Sequence, residues 1–160
     1  MKYVLVTGGC GFIGSNFVYD LIRLGDFIPI ILDKLTYAGS LSNLSRVKQS
    51  DYIFINGDIC DEKLVFSLFE KYSFEGVFHF AAESHVDRSI DGPKDFINTN
   101  VIGTFNLLQG AYHNLAKMHK NFKFIHISTD EVYGDLNEGD YFKETTPYSP
   151  SSPYSASKAA

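Results

Sequence analysis

The feature that most constrains this chain is the stretch Tyr3–Ser15, in which an apolar run leads directly into closely spaced glycines. Residues Tyr3–Val6 are apolar and partly β-branched, as expected of a strand that is buried on both faces. The glycines of Thr7–Gly11 allow a tight turn, and apolar residues at helical spacing follow from Phe12. A strand, a glycine turn and a helix in this order place free N–H groups and a partial positive charge together, which suits a pyrophosphate.

Two glycine spacings in this stretch fit a dinucleotide-binding loop. Residues 9–14 have the form G-x-G-x-x-G, and Gly8, Gly11 and Gly14 repeat at three-residue intervals. Either string is common by chance, but the flanking strand and helix make the signal strong. A nucleotide triphosphatase loop would need a lysine after the last glycine, where this chain has Ser15. That class of site is therefore excluded.

The composition narrows the classes of function further. Hydrophobic residues at 44% and charged residues at 21% are typical of a globular domain, and the net charge of −5 argues against nucleic acid as a partner. The absence of a signal peptide and of any apolar stretch of roughly 20 residues predicts a cytoplasmic protein with no membrane partner. Cys10, Cys60 and the histidines lack metal-ligand spacing, so we expect reduced thiols and no metal.

An acidic residue follows the second strand, which we predict over Pro29–Asp33. Asp33 lies about 20 residues after Gly14, where a dinucleotide-binding fold places the carboxylate that binds the ribose diol. A carboxylate accepts hydrogen bonds from both hydroxyls and repels a 2′-phosphate, so the sequence predicts NAD rather than NADP. The neighbouring Lys34 leaves some room for NADP.

Strands alternate with helices along the chain, which predicts an α/β fold of the Rossmann type: a doubly wound parallel sheet whose first five strands are present. We expect one long helix over residues 93–118, with an apolar stripe for packing or for a partner subunit. A polar cluster follows each strand, and in such a sheet these clusters converge on one edge, so we expect one composite site. The clusters lie at residues 7–11, 33–36, 58–59, 81–85 and 128–131.

Two groups of residues near the end of the chain have catalytic chemistry. Tyr154 and Lys158 are spaced i, i+4 on one helix face, and an ammonium group beside a phenol stabilises the phenolate. Such a pair can take a proton from a sugar hydroxyl. Asp130 and Glu131 follow the fifth strand, and in a dry cleft two carboxyls can divide into an acid and a base, as a dehydration requires.

These motifs, taken together, resemble the extended short-chain dehydrogenase/reductase family, and within it the nucleotide-sugar 4,6-dehydratases, most closely those that use dTDP-glucose. The Asp130–Glu131 pair distinguishes them from the sugar 4-epimerases of the same family, which keep the Tyr/Lys pair. The resemblance covers the whole chain and rests on Thr7–Asn16, Asp33–Gly39, Asp58–Asp61, Phe80–Ser89, Asn98–Thr104, Ser128–Gly134 and Pro153–Ala159.

The resemblance implies a set of residues that bind NAD. They follow the order of the cofactor, with the pyrophosphate at the glycine loop, the adenosine ribose and adenine next, and the central and nicotinamide portions last. The implied residues are Gly8, Gly11, Phe12, Ile13, Gly14, Asp33, Lys34, Leu35, Thr36, Asp58, Ile59, Phe80, Ala81, Ala82, Ser84, Thr99, Tyr154 and Lys158.

The resemblance also implies a division of catalytic labour. Tyr154 would deprotonate the glucose 4-hydroxyl, and Lys158 would hold the nicotinamide ribose and lower the pKa of Tyr154. After oxidation at C4, Glu131 would take the C5 proton while Asp130 protonates the leaving C6 hydroxyl. Thr129 would contact the sugar near C4, and Ser84 would also touch it. Return of hydride to C6 would give a 4-keto-6-deoxy sugar for deoxysugar biosynthesis.

Members of this family continue for about as many residues again. We therefore expect residues 1–160 to be the NAD-binding part of a longer homodimeric enzyme, without the C-terminal substrate domain and inactive alone. Three alternatives stay open: a dehydratase for UDP-glucose, a 4-epimerase of the same family, and a non-catalytic NAD-binding module.

Overall fold

The computed structural model describes residues 2–160, which divide into two compact units. The first unit comprises the residues up to Ala81 together with Gly103–Ile127. The second unit comprises Ala82–Ile102 and Ser128–Ala160.

The first unit contains a five-stranded parallel sheet with the strand order β3-β2-β1-β4-β5. The order reverses between β1 and β4, which is the arrangement of a doubly wound dinucleotide-binding fold. The predicted Rossmann-type sheet is confirmed. The strands are β1 (Tyr3–Thr7), β2 (Ile28–Asp33), β3 (Ile53–Asn56), β4 (Phe74–His79) and β5 (Lys123–His126).

Helices cover both faces of this sheet, and local signals set their ends. The helix α1 (Phe12–Leu24) ends at Gly25, which has the left-handed φ of 78°. The helix α2 (Glu62–Lys71) is capped by Asp61, whose carboxylate accepts the N–H of Leu64 at 3.0 Å.

Two apolar cores follow from the alternation of side chains along the strands. Leu5 points into a core that includes side chains of α2, whereas its neighbours Val4 and Val6 belong to a second core that includes side chains of α1. All three side chains are buried. Burial on both faces explains why β1 is apolar throughout.

The predicted long helix over residues 93–118 is wrong in detail. The chain forms α4 (Pro93–Phe96), a π-helical stretch (Ile97–Gly103) and α5 (Thr104–His113). The inward positions keep α-helical spacing through this stretch, at Phe96, Asn100, Leu107 and Ala111. The predicted stripe lies on the other side of the helix and is exposed at Phe105, Leu108, Tyr112 and Leu115.

The apolar face predicted for α1 is also shifted. The residues that pack inward are Gly14, Ser15, Val18 and Leu21. Phe12 and Ile13, at the start of the helix, are 83% and 61% exposed. The sequence assigned both residues to cofactor binding, and their exposure makes them accessible to a ligand.

The second unit consists of short helices. They are α3 (Val86–Asp91), which the sequence analysis missed, α4, a 3-10 helix (Asp130–Tyr133) and α6 (Pro153–Ala159). The helix α6 contacts α3, α4 and the 3-10 helix. It begins at Ser152, whose hydroxyl accepts the N–H of Ser155 at 3.0 Å.

A search of residues 2–160 for a helix of the length and apolarity needed to span a bilayer finds none.

Candidate functional site

The glycine loop between β1 and α1 is built around two close backbone approaches. Gly8 has a φ of +68°, and a Cβ there would lie 2.6 Å from the backbone nitrogen of Ala81. A Cβ on Gly14 would lie 2.3 Å from the carbonyl oxygen of Gly8. Both positions therefore require glycine. The helix α1 begins after Gly11, which has no side chain to cap it, so the helix start is open to an anionic group.

Asp33, the residue predicted to bind the ribose, also holds this loop. Its Oδ2 accepts the N–H of Cys10 at 2.9 Å, and its Oδ1 accepts the N–H of Leu35 at 2.8 Å. Each carboxylate oxygen keeps a further lone pair for a hydroxyl group. Leu35, which has a left-handed φ of 55°, follows in the predicted ribose segment. The sequence analysis missed the bond to Cys10.

Lys34 and Asp58 form an ion pair, with 3.1 Å between Nζ and Oδ2. The other carboxylate oxygen of Asp58 accepts the N–H of Cys60 at 2.9 Å. Partial burial raises the pKa of Asp58, but the hydrogen bonds from Cys60 and Lys34 outweigh it and leave the pKa below its ordinary value. Asp58 partly compensates the charge of Lys34, which weakens the case for a 2′-phosphate at this position.

Ile59, which the sequence assigned to the adenine, has a buried side chain in the core that includes α2. A ligand can therefore reach this residue only through its backbone. Asn106 of α5 donates to the carbonyl oxygens of Ile59 at 3.1 Å and Cys60 at 3.3 Å. The sequence analysis did not identify Asn106, because its partners lie far away in the chain.

The end of β4 is tied to the end of β1. Phe80 donates its N–H to the carbonyl oxygen of Thr7 at 3.1 Å, and Ala81 donates to the Thr7 hydroxyl at 3.3 Å. This pairing holds Ala81 against Gly8, so the first unit brings together the predicted cofactor residues of the glycine loop and of β4.

The second unit brings Tyr154 together with Thr129, Asp130 and Glu131. Tyr154 is buried, and its hydroxyl is hydrogen-bonded to Thr129. Burial raises the pKa of Tyr154, the Thr129 bond lowers it, and the carboxylates of Glu131 and Asp130 raise it again. The net shift is upward, which corrects the lowered pKa that the resemblance implied. The reason is that burial and two negative charges act on the phenol together.

Lys158, one helical turn beyond Tyr154, is also buried. Burial disfavours the charged ammonium and lowers the pKa of Lys158 to about 8. The side chain can therefore gain or lose a proton close to neutral pH.

The two acids belong to the 3-10 helix that starts after Thr129. The Thr129 hydroxyl accepts the N–H of Glu131 at 3.3 Å and donates to Oδ1 of Asp130 at 3.4 Å. Asp130 is exposed, whereas Glu131 is half-buried.

Asn100, in the π-helical stretch, organises the second unit. Its Oδ1 accepts the N–H of Glu83 at 2.9 Å, and its Nδ2 donates at 2.8 Å both to the carbonyl oxygen of Glu83 and to Oγ of Ser157. Asn100 therefore links the segment after Ala82 to α6. Asn100 lies within the stretch Asn98–Thr104 that carries the resemblance, but the resemblance assigned it no role.

The remaining predicted residues of the second unit differ in accessibility. Ser84 is exposed and Ala82 is half-buried, whereas Thr99 is buried in the π-helical stretch. Among residues 2–160, no group of three or more His, Cys, Asp and Glu side chains is arranged to hold a metal ion.

Comparison with known proteins gives consistent matches over nearly the whole chain. Residues 5–160 match the family model described as GDP-mannose 4,6-dehydratase. A dTDP-glucose 4,6-dehydratase from Xanthomonas campestris is 52% identical over 98% of this chain and 46% of its own length. One from Neisseria meningitidis is 52% identical over 100% and 47%. The chain thus spans about half the length of the curated relatives it matches.

Solved structures give the same result. A dTDP-glucose 4,6-dehydratase from Streptomyces venezuelae, crystallised with NAD, is 44% identical with a TM-score of 0.87, over 99% of this chain and 48% of that chain. A UDP-glucose 4-epimerase from Thermus thermophilus, in complex with NAD, is 35% identical with a TM-score of 0.86, over the same shares of the two chains.

Proposed function

Because this chain belongs to the GDP-mannose 4,6-dehydratase family, we propose that it binds NAD and serves the dehydration of a nucleotide-linked glucose, with dTDP-glucose as the substrate. The product is the 4-keto-6-deoxy sugar nucleotide, a precursor of deoxysugars such as rhamnose. The observation that carries the proposal is the grouping of Asp130 and Glu131 with Tyr154 in the second unit. An elimination needs an acid and a base beyond the group that serves the sugar 4-hydroxyl.

The first unit fits NAD. The side-chain-free positions at Gly8 and Gly14 allow the backbone close approach that a pyrophosphate needs, and the open start of α1 favours its charge. Asp33 is suited to the adenosine ribose because its carboxylate oxygens keep acceptor capacity. When bound, NAD supplies a reversible hydride acceptor.

Tyr154 is proposed to remove the proton of the sugar 4-hydroxyl. A phenol with a raised pKa holds its own proton at rest, so a nearby positive charge must stabilise the phenolate when it forms. Lys158 supplies that charge at neutral pH because the pKa of its ammonium is about 8. The Thr129 hydroxyl is hydrogen-bonded to Tyr154, and this bond opposes part of the upward shift in the pKa of the phenol.

Glu131 and Asp130 are proposed to carry out the elimination. The 4-ketone makes the C5 proton acidic, and Glu131, half-buried and fixed through its backbone to Thr129, takes it. Asp130, whose Oδ1 accepts the Thr129 hydroxyl, protonates the departing C6 hydroxyl. The 4-epimerase alternative leaves these two acids without a role.

We also propose that the protein is a cytoplasmic homodimer. The exposed face of α5, formed by Phe105, Leu108 and Tyr112, is a large apolar surface at helical spacing, as a subunit interface requires. The Cys10 thiol is reduced and buried, which suits a reducing compartment.

The sharpest test is a chimera in which this chain replaces the matching half of the Xanthomonas campestris relative. We expect the chimera to convert dTDP-glucose to a 4-keto-6-deoxy product, detected by mass spectrometry, and we expect the 160-residue chain alone to bind NAD with little turnover. In the chimera, Glu131→Gln should stop dehydration while NAD binding persists.

The alternatives give different results in the same assay. Conversion at C4 without loss of water indicates an epimerase, and NAD binding by a folded chimera without turnover indicates a non-catalytic module. Glu131→Gln with the activity of the parent chimera contradicts the assignment of the base. Parallel assays with dTDP-glucose and UDP-glucose test which nucleotide base the substrate carries.

A further inference from the structure

His79, the last residue of β4, is buried and hydrogen-bonded through both ring nitrogens. Its Nδ1 lies 2.6 Å from the hydroxyl oxygen of Thr7, and its Nε2 lies 2.8 Å from that of Thr104. Thr7 is the last residue of β1 and Thr104 is the first residue of α5. The imidazole therefore joins three elements of the first unit through side-chain hydrogen bonds.

The Thr7 end of this arrangement lies directly before the glycine loop. The Thr7 hydroxyl accepts the N–H of Ala81 at 3.3 Å in addition to its bond with His79. Ala81 in turn packs against Gly8, where an added Cβ would lie only 2.6 Å from the Ala81 nitrogen. The position of the Thr7 hydroxyl thus fixes the spacing between Gly8 and Ala81.

The Thr104 end lies beside the turn after β3, which the sequence assigned to the adenine. The neighbouring Gly103 is so close to Ile59 that an added Cβ would lie 2.5 Å from its side chain. Asn106, in the same helical turn, donates to the carbonyl oxygens of Ile59 and Cys60. The first turn of α5 therefore positions the turn after β3.

We infer that His79 is a positioning residue that holds the glycine loop in register with α5 and so raises the affinity for NAD. This inference rests on the proposed NAD binding. A hydroxyl group has one proton to donate, so the imidazole and the two hydroxyls must agree on the direction of both bonds. Thr7 and His79 are buried and Thr104 is half-buried, so these two hydrogen bonds fix the three side chains relative to one another more firmly than apolar packing would.

Thr104→Val tests the inference because it removes one hydrogen bond to His79 and nearly keeps the side-chain volume. We expect NAD binding, measured by calorimetry, to weaken about threefold to tenfold, as follows from the loss of one hydrogen bond. We also expect faster hydrogen exchange at the Ala81 amide and changed ring nitrogen shifts of His79 in NMR spectra. Neither signal requires NAD.

Val77→Ala is the matched control, since Val77 lies two residues earlier on β4 in the core that includes α2. It should lower the melting temperature through a cavity while leaving the NAD affinity and the Ala81 exchange rate unchanged. His79→Leu removes both hydrogen bonds and should weaken NAD binding. His79→Asn should weaken NAD binding less, because the asparagine amide can still reach Thr7.

The outcomes separate the inference from the proposed function. If the wild-type chain fails to bind NAD, the proposed function is contradicted and the inference about NAD affinity is overturned with it. Hydrogen exchange at the Ala81 amide and the ring nitrogen shifts of His79 still measure the coupling of Thr104 to Ala81 in that case. Wild-type NAD affinity in folded Thr104→Val, or equal affinity losses in Thr104→Val and Val77→Ala, overturns the positioning role.

Discussion

The carboxylate of Asp33 accepts the backbone N–H of Cys10 at 2.9 Å, so the residue expected to bind a ribose also braces the glycine loop. Two functions thus depend on one side chain. Neutralising it should affect the choice of cofactor and the shape of the loop together, whereas a residue that only touched the ribose would affect the first alone.

Asp33→Asn should weaken NAD binding by about tenfold to a hundredfold, because hydrogen bonds to a charged acceptor contribute about 1.5–3 kcal/mol. It should also reduce the preference for NAD over NADP, since the repulsion of a 2′-phosphate is lost. Calorimetry with both cofactors measures this, with Asp26→Asn as a control at an exposed turn. An unchanged ratio of the NAD and NADP affinities would show that Asp33 does not discriminate between the two ribose forms.

The Cys10 thiol should be unreactive in the folded chain. Burial, and secondarily the charge of Asp33, raises the pKa of Cys10 to about 12, so little thiolate is present at pH 8. In a Cys60→Ser variant, which leaves one thiol, we expect a chromogenic disulfide reagent to react only after unfolding. Fast reaction in native buffer would refute the raised pKa.

The same shift predicts a stability effect in alkali. The folded state holds the Cys10 proton more tightly than the unfolded state, whose thiol has a pKa of 9.0. This contribution to the free energy of unfolding is complete below pH 9 and declines as the pH rises from 9 to 12. Cys10→Ser should flatten that part of the profile in denaturant titrations.

Lys158 should shift stability in the opposite sense. Its pKa falls from 10.5 in the unfolded chain to about 8 in the folded chain, so the unfolded state binds the proton more tightly. The free energy of unfolding should therefore rise between pH 8 and 10.5. Lys158→Met should remove this rise and stabilise the chain at pH 7 by up to about 3 kcal/mol. If the free energy of unfolding of Lys158→Met rises between pH 8 and 10.5 as it does in the wild type, the lowered pKa of Lys158 is contradicted.

The pKa of Tyr154 reports on the side chains that surround its phenol in the second unit. Because Glu131 and Asp130 raise its pKa, Glu131→Gln and Asp130→Asn should each lower it, whereas Thr129→Val should raise it. Tyrosine ring-carbon NMR follows the titration, and Tyr154→Phe assigns the signal. Identical titrations in all three variants would mean that these groups do not act on Tyr154.

The parts of the fold that the sequence predicted are those with local causes. The glycine loop and the alternation of strands with helices depend on residues a few positions apart, and both are present in the structure. The apolar stripe predicted over residues 93–118 faces outward, because apolar residues at helical spacing do not show by themselves which helix face packs inside the domain.

Polar contacts between residues far apart in the chain could not be predicted from the sequence for another reason. His79 pairs with Thr7 across 72 positions, and Asn106 reaches Ile59 across 47. Such partners are defined only after the strands are ordered. The pKa of Tyr154 was misjudged likewise, since a sequence shows the i, i+4 lysine but not the burial of the phenol.

Asn100 provides the last test, because its carboxamide links Glu83 to Ser157 with three hydrogen bonds. Asn100→Ala should lower the free energy of unfolding by about 2–4 kcal/mol, since it also leaves buried backbone groups of Glu83 with fewer partners. Ser157→Ala, which affects only one of the bonds, should cost about 1 kcal/mol. In the double variant the Ser157 effect should largely vanish, which gives a coupling free energy of about 1 kcal/mol. Strict additivity would show that Asn100 does not fix α6 through Ser157, and the position of Tyr154 on that helix would then depend on its other contacts, such as the packing against Phe96.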